Sequence, residues 1–91
     1  MELKEIRAEI DSIDRELVAL LERRMDAAAR VAAYKKQTGM AIYDPGREAE
    51  KLASVASRCR AETAELIPPV FEAIMAASRA YQAAQMERVD G

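Results

Sequence analysis

Residues 1–38 contain no glycine and no proline, and this unbroken stretch limits the possible folds more than any other feature of the chain. Apolar residues recur along it at alternating steps of three and four, first from Leu3 to Leu21 and then from Ala28 to Tyr34. This spacing predicts a single amphipathic helix from about residue 2 to about residue 37. At about 1.5 Å per residue, the helix would be about 50 Å long.

A helix of this length cannot be covered by the rest of a 91-residue chain. A compact domain of this size has a radius of gyration of about 12 Å, so one end of the helix must extend beyond the core. Much of its apolar stripe would then face water in a monomer. A second copy of the chain is the simplest cover, and we expect an intertwined homodimer.

The rest of the chain predicts two shorter helices. Gly39 ends the first helix, and Asp44 and Pro45 suit the N-cap and first turn of a second helix from about residue 45 to about residue 60. The third begins in "LIPPVFEAIM" and runs from about residue 67 to about residue 87, with residues 88–91 as a frayed tail. We therefore expect one all-α domain of three helices over residues 1–91.

Composition excludes several classes of function. The formal charge of -2 gives no general basic field for nucleic acid, so we expect no nucleic-acid partner. The first ten residues are too charged for a signal peptide, and no apolar run reaches membrane-spanning length, so we expect a cytoplasmic protein. Histidine is absent, which excludes His-based triads and His-ligated zinc. Cys59 is the only cysteine, and we expect it to be a buried apolar residue, not a nucleophile.

Polar residues interrupt the apolar stripe of every predicted helix. On the first helix, Arg24 takes the heptad position of the preceding apolar residues, and Lys35 lies about three turns further on the same face. On the second, Glu48 shares the face of Leu52 and Val55. On the third, the stripe that contains Ile74 continues with Ser78 and Gln82.

Each of these residues has a plain structural explanation when it is taken alone. Arg24 can pair with a glutamate, Lys35 can extend its amine into water, and Glu48 suits the first turn of a helix. Asp44 can serve as an N-cap and nothing more, and surface charge accounts for Arg7 and Arg47.

The polar residues on the three stripes, taken together, indicate a binding site, because burying an unpaired polar group costs about 2–7 kcal/mol. Two cations, a carboxylate, a hydroxyl and an amide inside a helical core predict a small, dianionic ligand.

Arg7 precedes Arg24 by seventeen residues, which is about 26 Å along a helix and about 100° around it. The two guanidinium groups cannot share a site within one chain. If the long helices of a dimer run antiparallel, Arg7 of one chain reaches the Arg24 region of the other. The predicted site is therefore composite.

The chain resembles the all-helical chorismate mutases in four segments, "IRAEIDSIDRELVALLERRM", "VAAYKK", "IYDPGREAEKL" and "SRAYQ". The resemblance implies an intertwined dimer with two active sites that convert chorismate to prephenate, the branch step toward phenylalanine and tyrosine. The reaction is a pericyclic rearrangement, so we expect no cofactor and no metal.

The resemblance also implies a role for each site residue. Arg24 and the partner chain's Arg7 would bind the two substrate carboxylates. Lys35 would contact a carboxylate and the ether oxygen, and Gln82 would hold that oxygen from the opposite side. Glu48, helped by the backbone at Asp44, would accept a hydrogen bond from the ring hydroxyl. Arg47 and Ser78 would complete the pocket wall.

Three alternatives remain open at this stage. An isochorismate pyruvate lyase resembles this family in fold and uses similar cations, although Asp44, Arg47, Glu48 and Ser78 together favour the mutase. A non-catalytic module that binds chorismate or prephenate to regulate a partner enzyme is the second. A helical dimerisation module without a ligand is the third. Docking to another enzyme of the shikimate pathway also stays open.

Overall fold

The computed structural model describes the backbone of residues 2–90 and the side chains of residues 2–87. Three helices, α1 (Leu3–Thr38), α2 (Pro45–Arg58) and α3 (Ile67–Asp90), account for most of this length, with a short 3-10 turn at Ala61–Thr63. No strand occurs among the described residues, and the all-helical prediction is confirmed. Helix α3 extends to Asp90, so the expectation of a frayed tail is wrong for residues 88–90, while Gly91 lies outside the described residues.

The loop between α1 and α2 follows the local signals in the sequence. Gly39 has a φ of 72°, and its N–H donates to the carbonyl of Lys35, which ends α1. The side chain of Asp44 accepts a hydrogen bond from the N–H of Arg47 at 3.0 Å and so caps α2. Pro45 occupies the first helical position, where a missing N–H does no harm.

Helix α3 packs against both α1 and α2 and thereby holds the three helices together. Ala28 and Ala32 of α1 are buried, and such small side chains allow two helices to approach closely. Met75 of α3 and Val55 of α2 complete the buried apolar set among the described residues. At the far end of the contact, Lys36 Nζ donates to the backbone carbonyl of Met86 at 2.9 Å.

The N-terminal half of α1 extends away from this small core. All residues from 2 to 20 are exposed, although Leu3, Ile6, Ile10, Ile13, Leu17 and Leu20 lie among them. The longest dimension of the molecule is 54 Å, which is the length of the 36-residue helix at about 1.5 Å per residue. As expected, α1 is therefore longer than the core that the rest of the chain forms against it.

Burial differs from the predicted stripes at several places. Tyr34 is 61% exposed because α1 turns this face away from α3, and Val70 at the start of α3 is also exposed. Cys59 is half-buried, and its thiol donates to the carbonyl of Val55 at 3.2 Å.

Within the described part of the chain, no helix combines the length and apolarity that crossing a membrane requires.

Candidate active site

A cleft of about 360 Å³ is lined by all three helices and by the loop that joins α1 to α2. Helix α3, which packs against both other helices, contributes Met75, Ser78, Arg79 and Gln82 to the lining. The volume lies in the range of clefts that bind small molecules. The apolar part of the lining comes from Ala27, Ala28, Val31, Ile42 and Met75.

Seven of the eight predicted site residues line this one cleft, although they are spread over 59 residue positions, from 24 to 82. They are Arg24, Lys35, Asp44, Arg47, Glu48, Ser78 and Gln82. Arg7 does not line it, since it lies on the exposed N-terminal half of α1. This separation of Arg7 from Arg24 follows from their distance along one straight helix.

Helix α1 contributes two cations to the cleft. Lys35 Nζ donates to the carbonyl of Ile42 at 2.8 Å, which ties the amine to the loop and leaves two of its three N–H donors for other partners. Arg24 is half-buried and forms no ion pair with any described residue. The structural explanation for Arg24, a glutamate partner within the chain, is therefore not observed.

Helix α3 contributes two neutral polar groups. Ser78 and Gln82 are 7% and 8% exposed, and Gln82 Nε2 donates to Ser78 Oγ at 3.2 Å. Gln82 Oε1 is buried, and none of the described residues donates a hydrogen bond to it. An unsatisfied buried acceptor costs about 1–3 kcal/mol, so this amide lowers the stability of the chain unless another group pairs with it.

The start of α2 contributes carboxylates and a further cation. The Asp44 side chain is engaged in capping, whereas Arg47 is exposed and lies 3.9 Å from Glu50 in a weak surface pair. The side chain of Glu48 is only 22% exposed, in agreement with its place on the stripe of Val55. Its two oxygens lie 2.5 and 2.6 Å from Nη1 of Arg79.

Sequence reasoning missed two cations of the cleft, Lys51 and Arg79. Both carry the signal that identified the other residues, because Lys51 lies three residues after Glu48 and Arg79 lies four after Met75. Arg79 is also part of the segment "SRAYQ". The same rule, applied to every polar residue on a stripe, would have included both.

The charge of the cleft differs in sign from that of the chain. Five basic residues line it, namely Arg24, Lys35, Arg47, Lys51 and Arg79, against two carboxylates, Asp44 and Glu48. This leaves three positive charges in excess, while the whole chain carries -2. Such a local field favours an anionic ligand. Among the described residues, no group of histidine, cysteine, aspartate and glutamate side chains has the arrangement of a metal site.

Comparison with known proteins identifies the family to which the chain belongs. Residues 6–83 match the family described as chorismate mutase type II. The chain belongs to the type II chorismate mutase family. The resemblance drawn from the four sequence segments is thereby confirmed, and with it the expectation of an isomerase family.

Individual relatives are similar over part of their length. The T-protein of Haemophilus influenzae is 42% identical over 73 residues, which are 80% of this chain and 19% of that protein. A 4-amino-4-deoxychorismate mutase of Streptomyces venezuelae is 41% identical over 46 residues, 50% of this chain and 45% of the relative. A chorismate mutase of Methanocaldococcus jannaschii is 46% identical over 46 residues, 50% of this chain and 46% of the relative.

The chain thus covers about a fifth of the T-protein and less than half of the other two relatives. No solved structure matches the chain.

Proposed function

We propose that this protein is a chorismate mutase that rearranges chorismate to prephenate in the cytoplasm, in the synthesis of phenylalanine and tyrosine. The observation that carries the proposal is the convergence of seven family-pattern residues on one cleft with three positive charges in excess. Chorismate carries two carboxylates, an ether oxygen and a ring hydroxyl. The cleft offers cations for the carboxylates, an amide and an amine for the ether oxygen, and a carboxylate for the hydroxyl.

The chemistry of the rearrangement suits these groups. The ether carbon–oxygen bond breaks while a carbon–carbon bond forms to the ring, in one concerted step without a nucleophile, a metal or a transferred proton. The site has to hold the compact diaxial conformer and to stabilise negative charge that develops on the ether oxygen. Lys35 and Gln82 would provide this stabilisation from opposite sides.

Arg24 is well prepared to bind a substrate carboxylate. It is half-buried and has no ion pair in the described chain, so a ligand carboxylate would replace water without breaking an internal contact. An arginine can hold a carboxylate through two parallel N–H donors. Lys35 is already oriented by its hydrogen bond to Ile42, and orientation before binding reduces the entropy lost when the substrate is held.

Gln82 can donate to the ether oxygen without losing its contact with Ser78. A half-turn of the amide exchanges Nε2 and Oε1, and the Ser78 hydroxyl can then donate to Oε1 because a hydroxyl both donates and accepts. This orientation satisfies the buried oxygen and leaves the N–H donors for the substrate. The amide is neutral, so no carboxylic acid has to be protonated at this position.

The second part of the proposal is an intertwined homodimer. A compact monomer of this mass exposes about 5,300 Å², whereas the single chain exposes 7047 Å². The excess of about 1,800 Å² is of the size that one subunit of an obligate dimer buries. The exposed apolar residues of α1 from Leu3 to Leu20 supply a suitable surface for the same helix of a second copy.

An antiparallel dimer also supports the role expected of Arg7. The N-terminal half of one α1 would lie along the C-terminal half of the other, which brings the partner chain's arginine toward the cleft that contains Arg24. Each dimer would then hold two composite sites, and each site would gain one more positive charge. We expect no nucleic-acid or membrane partner, and docking to a larger enzyme of the pathway is left open.

The test is to incubate the purified protein with chorismate and to follow chorismate and prephenate by NMR. We expect prephenate as the product, and sedimentation equilibrium at assay concentration should give twice the mass of the chain. A parallel incubation with isochorismate tests the lyase alternative through salicylate and pyruvate. Binding of chorismate without conversion would favour the regulatory module, and no binding at all would contradict every ligand-based proposal.

A further inference from the structure

Arg79 and Glu48 form the most closely paired charges in the described part of the chain. A single nitrogen, Nη1, lies 2.5 and 2.6 Å from the two carboxylate oxygens. The side chains are 34% and 22% exposed, so water screens this pair less than the surface pairs of Arg47 and Arg60. The contact joins α3 to α2 across 31 residues and lies in the lining of the cleft.

Tyr43 holds Arg79 from the loop side. The guanidinium carbon of Arg79 lies 5.0 Å from the centre of the Tyr43 ring, within the range of a cation–π contact. The loop, α2 and α3 therefore meet at one guanidinium group. This arrangement limits the directions in which Arg79 can move and fixes its charge next to Glu48.

The pairing changes what Glu48 can accept. An isolated carboxylate attracts a cation more strongly than a neutral donor. Beside Glu48, however, the positive charge of Arg79 offsets the negative charge of the carboxylate and would repel a second cation. A carboxylate has about four acceptor positions, so the pair still leaves room for one neutral O–H donor. A ring hydroxyl satisfies these conditions, whereas a ring ammonium at the same place would stand close to the guanidinium group.

We propose that Arg79 is a positioning and specificity-determining residue that makes the site prefer a ring hydroxyl to a ring amino group. The proposal depends on the proposed function, in which Glu48 accepts the hydrogen bond of the ring hydroxyl. The choice matters within this family, because one relative is named for 4-amino-4-deoxychorismate, in which an amino group replaces that hydroxyl. The amino group is an ammonium at neutral pH.

The experiment compares kcat/KM for chorismate and for 4-amino-4-deoxychorismate in the full chain and four variants. Arg79→Met keeps the aliphatic length and removes the charge, while Arg79→Lys keeps the charge. We expect Arg79→Met to shift the ratio toward the amino substrate on the order of tenfold or more, and Arg79→Lys to restore much of the preference. Where turnover of the amino substrate is slow, its inhibition constant against chorismate gives the same comparison.

Arg60→Met is the matched control. Arg60 also pairs with a glutamate, Glu62, at 3.5 Å, but both side chains are largely exposed and neither lines the cleft. The control should leave both the activity and the ratio unchanged. Glu48→Gln provides an independent arm, because it removes the negative charge and keeps Arg79, and it should shift the ratio toward chorismate.

An equal loss of activity on both substrates in Arg79→Met would show a merely structural role and would overturn the inference. If Arg79→Met does not fold, an unchanged ratio in Glu48→Gln overturns it in the same way. Failure of the unsubstituted chain to convert or bind either substrate would instead contradict the proposed function. The two failures are therefore distinguishable.

Discussion

Gln82 and Ser78 lie one turn apart on α3, both buried, and the amide nitrogen of Gln82 donates to the hydroxyl of Ser78 at 3.2 Å. The other amide atom, Oε1, is buried without a partner among the described residues. A helix of this kind would be more stable with apolar residues at both positions. The polar pair is therefore better explained by a ligand that binds to it than by stability.

Replacement of Gln82 by methionine separates these two roles. Gln82→Met keeps a similar volume and removes the donor, so kcat should fall by about 10²–10³-fold, the usual effect of losing one donor at a developing negative charge. The free energy of unfolding should change by less than about 1 kcal/mol, because the end of the amide that lacks a partner in the chain is removed together with the hydrogen bond to Ser78. Steady-state kinetics and urea unfolding measure the two quantities, and a stability loss without an activity loss would contradict the assignment.

Activity of the unsubstituted protein should change little between mildly acidic and neutral pH. The donor proposed at the ether oxygen is the amide of Gln82, which does not titrate in this range. Gln82→Glu should introduce a dependence, with activity falling as pH rises, because only a protonated carboxyl donates a hydrogen bond. The pH profiles of kcat/KM for both proteins test this, and a steep loss in the unsubstituted protein would argue against a neutral donor.

Arg24→Ala and Lys35→Ala should each lower kcat/KM by about 10²-fold or more, since each removes a charge from the site. The dimer should persist in both, as neither residue belongs to the exposed apolar stripe of α1. Lys35→Ala should also loosen the loop, because it loses the hydrogen bond to Ile42. Kinetics and sedimentation check the two expectations, with the exposed Arg60→Ala as the control that keeps full activity.

Mixing two inactive variants tests the composite site. Arg7→Ala and Arg24→Ala chains should both be inactive as pure dimers. In a mixed dimer, one site combines an intact Arg24 with the partner chain's intact Arg7, while the other site lacks both. After equal mixing and exchange, half of the dimers should be mixed and one of the two sites in each should be complete, so about a quarter of all sites should be active. Recovery of no activity, with exchange verified by mass spectrometry, would show that Arg7 acts elsewhere.

The two glycines at the ends of the α1–α2 loop should respond in opposite directions to alanine. Gly46 lies in the first turn of α2 without a positive φ, and an added Cβ would stand 3.6 Å from Asp44 Oδ1, an ordinary contact. Gly46→Ala should therefore raise the free energy of unfolding by about 0.4–1 kcal/mol.

Gly39 is the matched comparison, because its φ of 72° strains any residue with a Cβ. Gly39→Ala should lower the free energy of unfolding by about 1–2 kcal/mol, although its Cβ would meet no atom within 4 Å. Urea unfolding of the two variants at equal protein concentration measures both effects. A destabilising Gly46→Ala would mean that the first turn of α2 needs the flexibility of glycine.

Local features of the chain were readable from the sequence alone. The end of α1 at Gly39, the Asp44 cap and the start of α2 at Pro45 depend on residues within a turn of one another, and such signals act through the backbone nearby. The buried positions of Ser78 and Gln82 followed from helical spacing, as did the inward direction of Glu48. The number of residues in α1 was enough to predict that the helix extends beyond the core.

Only the tertiary structure decided which groups meet. The ion pair of Arg79 with Glu48 spans 31 residues, and the hydrogen bond of Lys35 to Ile42 depends on how the loop folds back over α1. Tyr34 fits the apolar period of α1, yet it is exposed because α3 covers a different face. The helical period of the sequence shows on which face of its helix a residue lies. The way in which α3 packs against α1 and α2 determines what that face contacts.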